Sequence, residues 1–96
     1  MIEIRKTEIF EKWLRKVKDG KTRSIINMYI TRLSQEYNCD CKPIGKGLSE
    51  LRIHYGKGFR IYYKTKNNQI IILLCAGDKS TQEQDIQTAY KIAMEV

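Results

Sequence analysis

The fold is decided by one stretch, residues 50–63, which reads ELRIHYGKGFRIYY. Apolar side chains occupy positions 51, 53 and 55 and again 59, 61 and 63, and more polar ones lie between them. Because side chains alternate between the two faces of a strand, this pattern predicts two strands, each with one buried and one exposed face. The glycines at positions 56 and 58 predict a turn between them, so we expect a β-hairpin.

The register of this hairpin determines which polar residues share a face. A two-residue loop would mix apolar and polar side chains on each face, so we expect a three-residue loop, residues 56–58. That loop pairs His54 with Arg60 and Arg52 with Tyr62 on one exposed face. Like charges directly across a sheet destabilise it, so the crowding of cations predicts an anionic ligand.

The first half of the chain predicts a strand and two helices. A short strand begins at Ile2, and Thr7 is expected to cap a helix that ends at Asp19-Gly20. Apolar residues at helical spacing between 25 and 33 predict a second helix, which forms a helical hairpin with the first. Residues 38–49 are expected to form a loop.

The second half continues with strands and a last helix. After a turn at residues 65–68, the uniformly apolar run 70–75 predicts a central strand that is covered on both faces. Residues 80–83 have the form of a capping box that opens a C-terminal helix. The order β-α-α-β-β-β-α predicts a single α+β domain over residues 1–96, with a mainly antiparallel four-stranded sheet.

Composition and charge limit the classes of function. The net charge of +7 is spread unevenly: residues 1–38 carry +4, residues 39–66 carry +5 with seven basic and two acidic side chains, and residues 67–96 carry −2. The clustering of positive charge around the hairpin favours nucleic-acid binding over general solubility. The sequence shows neither a transmembrane segment nor the apolar core of a signal peptide, so a cytoplasmic protein without a membrane partner is expected. Three cysteines and one histidine are a weak match to a zinc site, and we expect neither a metal nor a cofactor.

Three short motifs carry a resemblance to a known family. Residues 49–52 (SELR), 58–63 (GFRIYY) and 77–80 (GDKS), in this order, resemble the RelE/ParE toxin superfamily, in its phage-derived, HigB-like branch of addiction module killer proteins. The resemblance implies a type II toxin with a cognate antitoxin, usually of helix-turn-helix type, and indirect binding to operator DNA through the complex. Members related to RelE cut messenger RNA on the ribosome without a metal, whereas members related to ParE inhibit DNA gyrase.

Metal-free RNA cleavage needs a base for the 2′-hydroxyl, cations for the phosphate and an acid for the leaving oxygen. Arg60 matches the arginine that contacts the scissile phosphate in RNA-cutting relatives, and an arginine can hold a phosphate with two hydrogen bonds. Arg52 is the second candidate for stabilising charge. His54 is a candidate base, because histidine exchanges its proton near neutral pH and Arg60 opposite it would disfavour the protonated ring. Lys79 aligns with a basic residue that lies at the entrance to the last helix in the same RNA-cutting relatives.

One position departs from the pattern of the RNA-cutting relatives. Several RNA-cutting relatives place a tyrosine or histidine in the C-terminal segment, but spacing assigns that position to Asp85. Two other residues, Tyr62 and Tyr90, are therefore the candidates for the general acid.

The expected function is a ribosome-dependent messenger RNA endoribonuclease; the alternatives are a gyrase inhibitor without catalysis and a degenerate partner-binding protein. The residues expected to bind RNA are Lys46, Lys57, Tyr62 and Lys64.

Overall fold

A five-stranded sheet with helices on both faces forms the protein in a computed structural model that describes residues 2–96. The α+β class is confirmed. In chain order the elements are β1 (Glu3–Lys6), α1 (Glu8–Arg15), α2 (Gly20–Ser34), β2 (Cys41–Gly45), β3 (Leu48–Ile53), β4 (Phe59–Lys66), β5 (Ile70–Gly77), a 3-10 helix (Lys79–Thr81) and α3 (Gln82–Ala93).

The strands lie in the order β1-β5-β4-β3-β2. β1 pairs with β5 in parallel, and the other neighbours are antiparallel. The predicted meander of β3, β4 and β5 and the addition of the first strand to the same sheet are confirmed. The prediction of four strands was wrong, because the sheet has a fifth strand and is mixed.

The additional strand is β2, which lies within the region predicted as a loop. It forms an edge of the sheet, where Pro43 is tolerated because one side of the strand needs no ladder partner. Lys46 and Gly47 connect it to β3 with φ angles of 55° and 78°, as in a two-residue hairpin turn. Most of β2 is exposed, so its sequence lacks the apolar alternation that reveals half-buried strands.

Each face of the sheet is covered by its own hydrophobic cluster. Helices α1 and α2 pack on one face, where Phe10 and Ile26 contribute fully buried side chains. Helix α3 packs on the other face, where Ala89 is fully buried. Strand β5 supplies Leu73 to the first cluster and Leu74 to the second, which confirms that it is covered on both sides. Among residues 2–96, no helix combines the length and apolar character needed to cross a membrane.

Two helix ends differ from the sequence expectation. Thr7 caps α1 as expected, accepting a hydrogen bond from Phe10 N at 3.0 Å, but the helix ends at Arg15. Asp19 instead precedes α2, and its carboxylate accepts from the Thr22 hydroxyl at 2.6 Å, which lowers the pKa of Asp19. The capping box lies at residues 78–81, ahead of the 3-10 helix, rather than at 80–83. Short polar residues offer competing caps, and the sequence does not show which one is used.

Candidate active site

Arg52 and Arg60 lie directly opposite each other where β3 and β4 approach the hairpin loop. The expected pairing of His54 with Arg60 was wrong, because the loop contains five residues, 54–58, instead of three. Gly56 and Gly58 take φ angles of 58° and 77°, and the longer loop closes through a hydrogen bond from Gly58 N to Tyr55 O at 3.0 Å.

The corrected register leaves the two arginines on a common face. The pairing differs from the expected one by two residues, and a two-residue shift preserves the face of every side chain because strands alternate with a period of two. Across the ladder, Arg52 is therefore paired with Arg60 instead of the expected Tyr62. The juxtaposition of like charges is closer than the sequence suggested.

A concave pocket of about 160 Å³ lies at this end of the sheet. It brings together the four residues that the sequence analysis proposed as catalytic. They come from three separate parts of the chain: β3 with the start of the loop, β4, and the 3-10 helix. The lining residues are Arg52, Ile53, His54, Gly58, Phe59, Arg60 and Lys79.

Lys79 reaches the pocket across the hairpin loop. It begins the 3-10 helix after β5, and its aliphatic stem passes over Gly58. A Cβ added at Gly58 would stand 3.2 Å from Lys79 Cε and 3.5 Å from its Cδ. Gly58 therefore has two roles: it adopts a positive φ angle of 77°, and it leaves room for the lysine stem.

Glu50 was not identified as a site residue from the sequence, yet it holds Arg52 in place. Its side chain is 1% exposed, and its two carboxylate oxygens accept hydrogen bonds from Arg52 Nε and Gln82 Nε2, both at 3.0 Å. The hydrogen bond that Arg52 donates to Glu50 raises the pKa of the Arg52 guanidinium. The sequence contains one signal for this contact: Glu50 lies two positions before Arg52, so both side chains are on the same face of the strand.

Arg60 differs from Arg52 in its ionic partners. The salt bridges among the described residues join Arg5 to Glu3, Arg52 to Glu50 and His54 to Asp40, and none includes Arg60. Its side chain is only partly buried. Of the two facing arginines, Arg60 is therefore the one whose positive charge is less neutralised by nearby carboxylates.

The expectation that Tyr62 lies on an exposed face was wrong. Helix α3 covers this part of the sheet, and Tyr62 is completely buried opposite Glu50. Burial raises the pKa of the Tyr62 phenol, and the Glu50 and Asp85 carboxylates raise it further. The hydroxyl has no hydrogen-bond partner in residues 2–96. Tyr62 therefore cannot reach a substrate as it stands, and the exposed face is limited to the end of the strands.

His54 contacts a carboxylate instead of facing Arg60. Its Nε2 atom lies 2.6 Å from Asp40 Oδ2, and both side chains are substantially exposed, at 68% and 46%. Asp40 comes just before β2, a strand that the sequence pattern does not reveal. The sequence therefore does not predict the proximity of Asp40 to His54 either.

The other proposed substrate-binding lysines do not line the pocket. Lys57 lies in the hairpin loop near Asp78, and its charge contributes to a lowered pKa of that carboxyl. Lys46 lies at the opposite end of β3, where its ammonium stands 4.8 Å from the centre of the Tyr90 ring. Lys64 pairs with Leu48, also at that distant end.

The distant lysines have structural contacts around α3. Lys64 Nζ donates to Ala93 O at 3.1 Å and to Val96 O at 2.7 Å, so its charge stabilises the carbonyl end of the helix. The Tyr90 hydroxyl donates to Ile44 O and thereby ties α3 to β2. Tyr90 is engaged at the far end of the helix and is not placed beside the pocket.

Asp85, to which spacing assigned the C-terminal tyrosine or histidine of RNA-cutting relatives, packs against the backbone of β5. Its Oδ2 accepts from the Thr81 hydroxyl at 2.5 Å and would lie 1.9 Å from a Cβ on Gly77. Burial raises the pKa of this carboxyl, and the Thr81 hydrogen bond opposes that effect. Asp85 lies outside the set of residues that line the pocket.

Comparison with known proteins identifies the family of this chain. Residues 12–95 match the family described as Phage derived protein Gp49-like (DUF891). An uncharacterized protein of Haemophilus influenzae strain Rd is 43% identical over 95 residues, which cover 99% of this chain and 96% of the relative. The chain therefore belongs to the Gp49-like family of phage-derived proteins, a family of toxin-like addiction-module proteins.

Proposed function

We propose that this protein is the toxin of a type II toxin–antitoxin pair and cleaves messenger RNA on the ribosome without a metal ion. The observation that carries the proposal is the convergence of Arg52, His54, Arg60 and Lys79 on one small pocket. Facing arginines are unfavourable without a ligand, and a phosphodiester supplies the missing negative charge.

The pocket residues divide the reaction between them. His54 takes the proton from the ribose 2′-hydroxyl, and the 2′-oxygen forms a bond to the adjacent phosphorus. Arg60 and Arg52 stabilise the charge that develops on the phosphate oxygens. The bond from phosphorus to the 5′-oxygen breaks, and that oxygen takes a proton, for which the Lys79 ammonium is the donor in the pocket. The products are a 2′,3′-cyclic phosphate and a 5′-hydroxyl end.

The size of the pocket supports dependence on the ribosome. A volume of about 160 Å³ accommodates a phosphate and the neighbouring ribose oxygens but leaves little space for a base. Of the two rings in the lining, Phe59 already packs edge-on against Trp13 with ring centres 5.9 Å apart, which leaves the His54 imidazole as the exposed ring. The pocket thus offers few surfaces for base stacking, and presentation of the RNA by the ribosome would supply further orientation.

Primer extension on cellular messenger RNA after induced expression tests the proposal. We expect discrete cuts that depend on ribosomes, with 5′-hydroxyl ends that a polynucleotide kinase labels directly. Intact RNA together with stalled gyrase complexes would contradict the proposal and support gyrase inhibition. An antitoxin that covers the cationic pocket should suppress the cuts.

A further inference from the structure

Asp40 is placed to control the orientation of the His54 ring. Its backbone carbonyl accepts a hydrogen bond from Arg52 N at 2.9 Å, which extends the β2–β3 ladder by one bond. Its carboxylate meets His54 Nε2 at 2.6 Å. The backbone of Asp40 is thus tied to the strand that carries Arg52, while its side chain holds the imidazole at the rim of the same pocket.

Stability does not explain this contact. Both side chains are substantially exposed, at 68% for His54 and 46% for Asp40, and exposed ion pairs contribute little to folding. The contact does have a chemical consequence. An ionised carboxylate only accepts hydrogen bonds, so Nε2 of His54 must carry the proton that is shared with Asp40. In the neutral ring, Nδ1 is then left as the unprotonated nitrogen.

We propose that Asp40 is a positioning residue that fixes the His54 ring with Nδ1 as the nitrogen that accepts the substrate proton. The inference rests on the proposed RNA cleavage. The proton of the 2′-hydroxyl moves to Nδ1, while the Nε2 proton stays in its hydrogen bond. Asp40 keeps its negative charge and stabilises the imidazolium that results, and the proton leaves Nδ1 to solvent after the cyclic phosphate has formed.

The contact can be observed without any measurement of activity. The chain contains one histidine, so labelling histidine with ¹⁵N gives the spectrum of this ring alone. We expect the ring ¹⁵N shifts to report a neutral ring that is protonated at Nε2 alone. Asp40→Ala should admit the Nδ1-protonated form as well, whereas Asp40→Asn, whose amide oxygen still accepts, should largely retain the Nε2-protonated form. Glu95→Ala, which removes an exposed carboxylate from the far end of the chain, serves as the control.

The catalytic role is tested by a double-mutant cycle on ribosome-bound messenger RNA. We expect Asp40→Ala and His54→Ala each to slow cleavage about 10²-fold, and the double variant to be no slower than His54→Ala. Unchanged thermal unfolding of Asp40→Ala would show that the variant keeps its fold, so that a slower rate reports on the ring and not on global stability.

The ring spectra and the double-mutant cycle test different parts of the proposal, so their negative results can be told apart. A ring that stays protonated at Nε2 alone in Asp40→Ala would overturn the contact, and losses that multiply in the double variant would overturn the positioning role. A wild-type chain that leaves messenger RNA intact would overturn the proposed function, while the spectra would still decide whether Asp40 holds the ring.

Discussion

Arg52 and Arg60 face each other across β3 and β4, and their charges are compensated differently. Arg52 donates to the buried carboxylate of Glu50, whereas the salt bridges among residues 2–96 do not include Arg60. The buried carboxylate of Glu50 therefore neutralises part of the positive field at Arg52, and no salt bridge among the described residues does so at Arg60.

Removing the support of Arg52 should affect both stability and activity. In Glu50→Ala, the guanidinium and the Gln82 amide each lose a partner beside a buried position. We expect the midpoint of thermal unfolding to fall by more than about 4 °C. Glu50→Gln retains an acceptor and should lose less stability, although cleavage should still slow because Arg52 is no longer held by a charge.

The contact between Gly58 and Lys79 gives a second prediction with a matched control. Gly58 and Gly47 have φ angles of 77° and 78°, so alanine should impose similar backbone strain at either position. Only at Gly58 would the added Cβ meet another residue, Lys79 Cε at 3.2 Å; at Gly47 no atom lies within 4 Å. Both alanine variants should lose similar stability, but only Gly58→Ala should slow cleavage. Equal rates would argue against a role for the Lys79 position.

Gly77 should tolerate no side chain. A Cβ there would stand 1.9 Å from Asp85 Oδ2 and 2.6 Å from Thr81 Oγ1, so these two short side chains, or the backbone that carries them, would have to move away from β5. We expect Gly77→Ala to destabilise the fold by about 1–3 kcal/mol, as overpacking commonly does. Chemical denaturation measures the loss. A variant as stable as the wild type would show that Asp85 and Thr81 can move without cost.

The acid dependence of stability should contain a contribution from Asp78. Hydrogen bonds from the Ser80 hydroxyl and N–H lower the pKa of this carboxyl in the folded chain. A lowered folded-state pKa contributes stability above the unfolded pKa of about 4, and that contribution is lost as the pH falls through the folded pKa. Asp78→Ala should therefore be less stable than the wild type at pH 7, and the difference should shrink in acid.

Asp85 provides a control of opposite sign. Its pKa is raised by burial, so its stabilising contribution is present below the unfolded pKa of about 4 and is lost as the pH rises through the folded pKa. Asp85→Asn should consequently gain stability relative to the wild type at neutral pH and lose that advantage in acid. If both variants shift in the same direction, one of the two assignments is wrong.

The alternating hairpin and the apolar strand β5 were predictable because their patterns reflect burial on one or both faces. The loop length was not, because Gly56 and Gly58 permit several turns and the apolar pattern is unchanged by a two-residue shift. Strand β2 was missed because it is an exposed edge. The contact of His54 with Asp40 depends on that strand and was hidden with it.

The candidate site was predictable in its residue types and only partly in its surroundings. Arg52 and Arg60 follow from alternation along the two strands, and Lys79 follows from the resemblance to RNA-cutting toxins. The burial of Glu50 and Tyr62 depends on α3 covering one end of a face whose other end stays open, and sequence periodicity does not show where a helix stops.

The central claim is tested most directly by the rate at which Arg60→Ala cleaves messenger RNA on the ribosome, with Lys66→Ala, an exposed cation on the same strand, as the control. We expect Arg60→Ala to retain its fold and to lose about 10²–10³-fold in rate, the usual effect of removing one group that stabilises transition-state charge, and Lys66→Ala to cleave normally. Cleavage by Arg60→Ala at the wild-type rate would contradict the account.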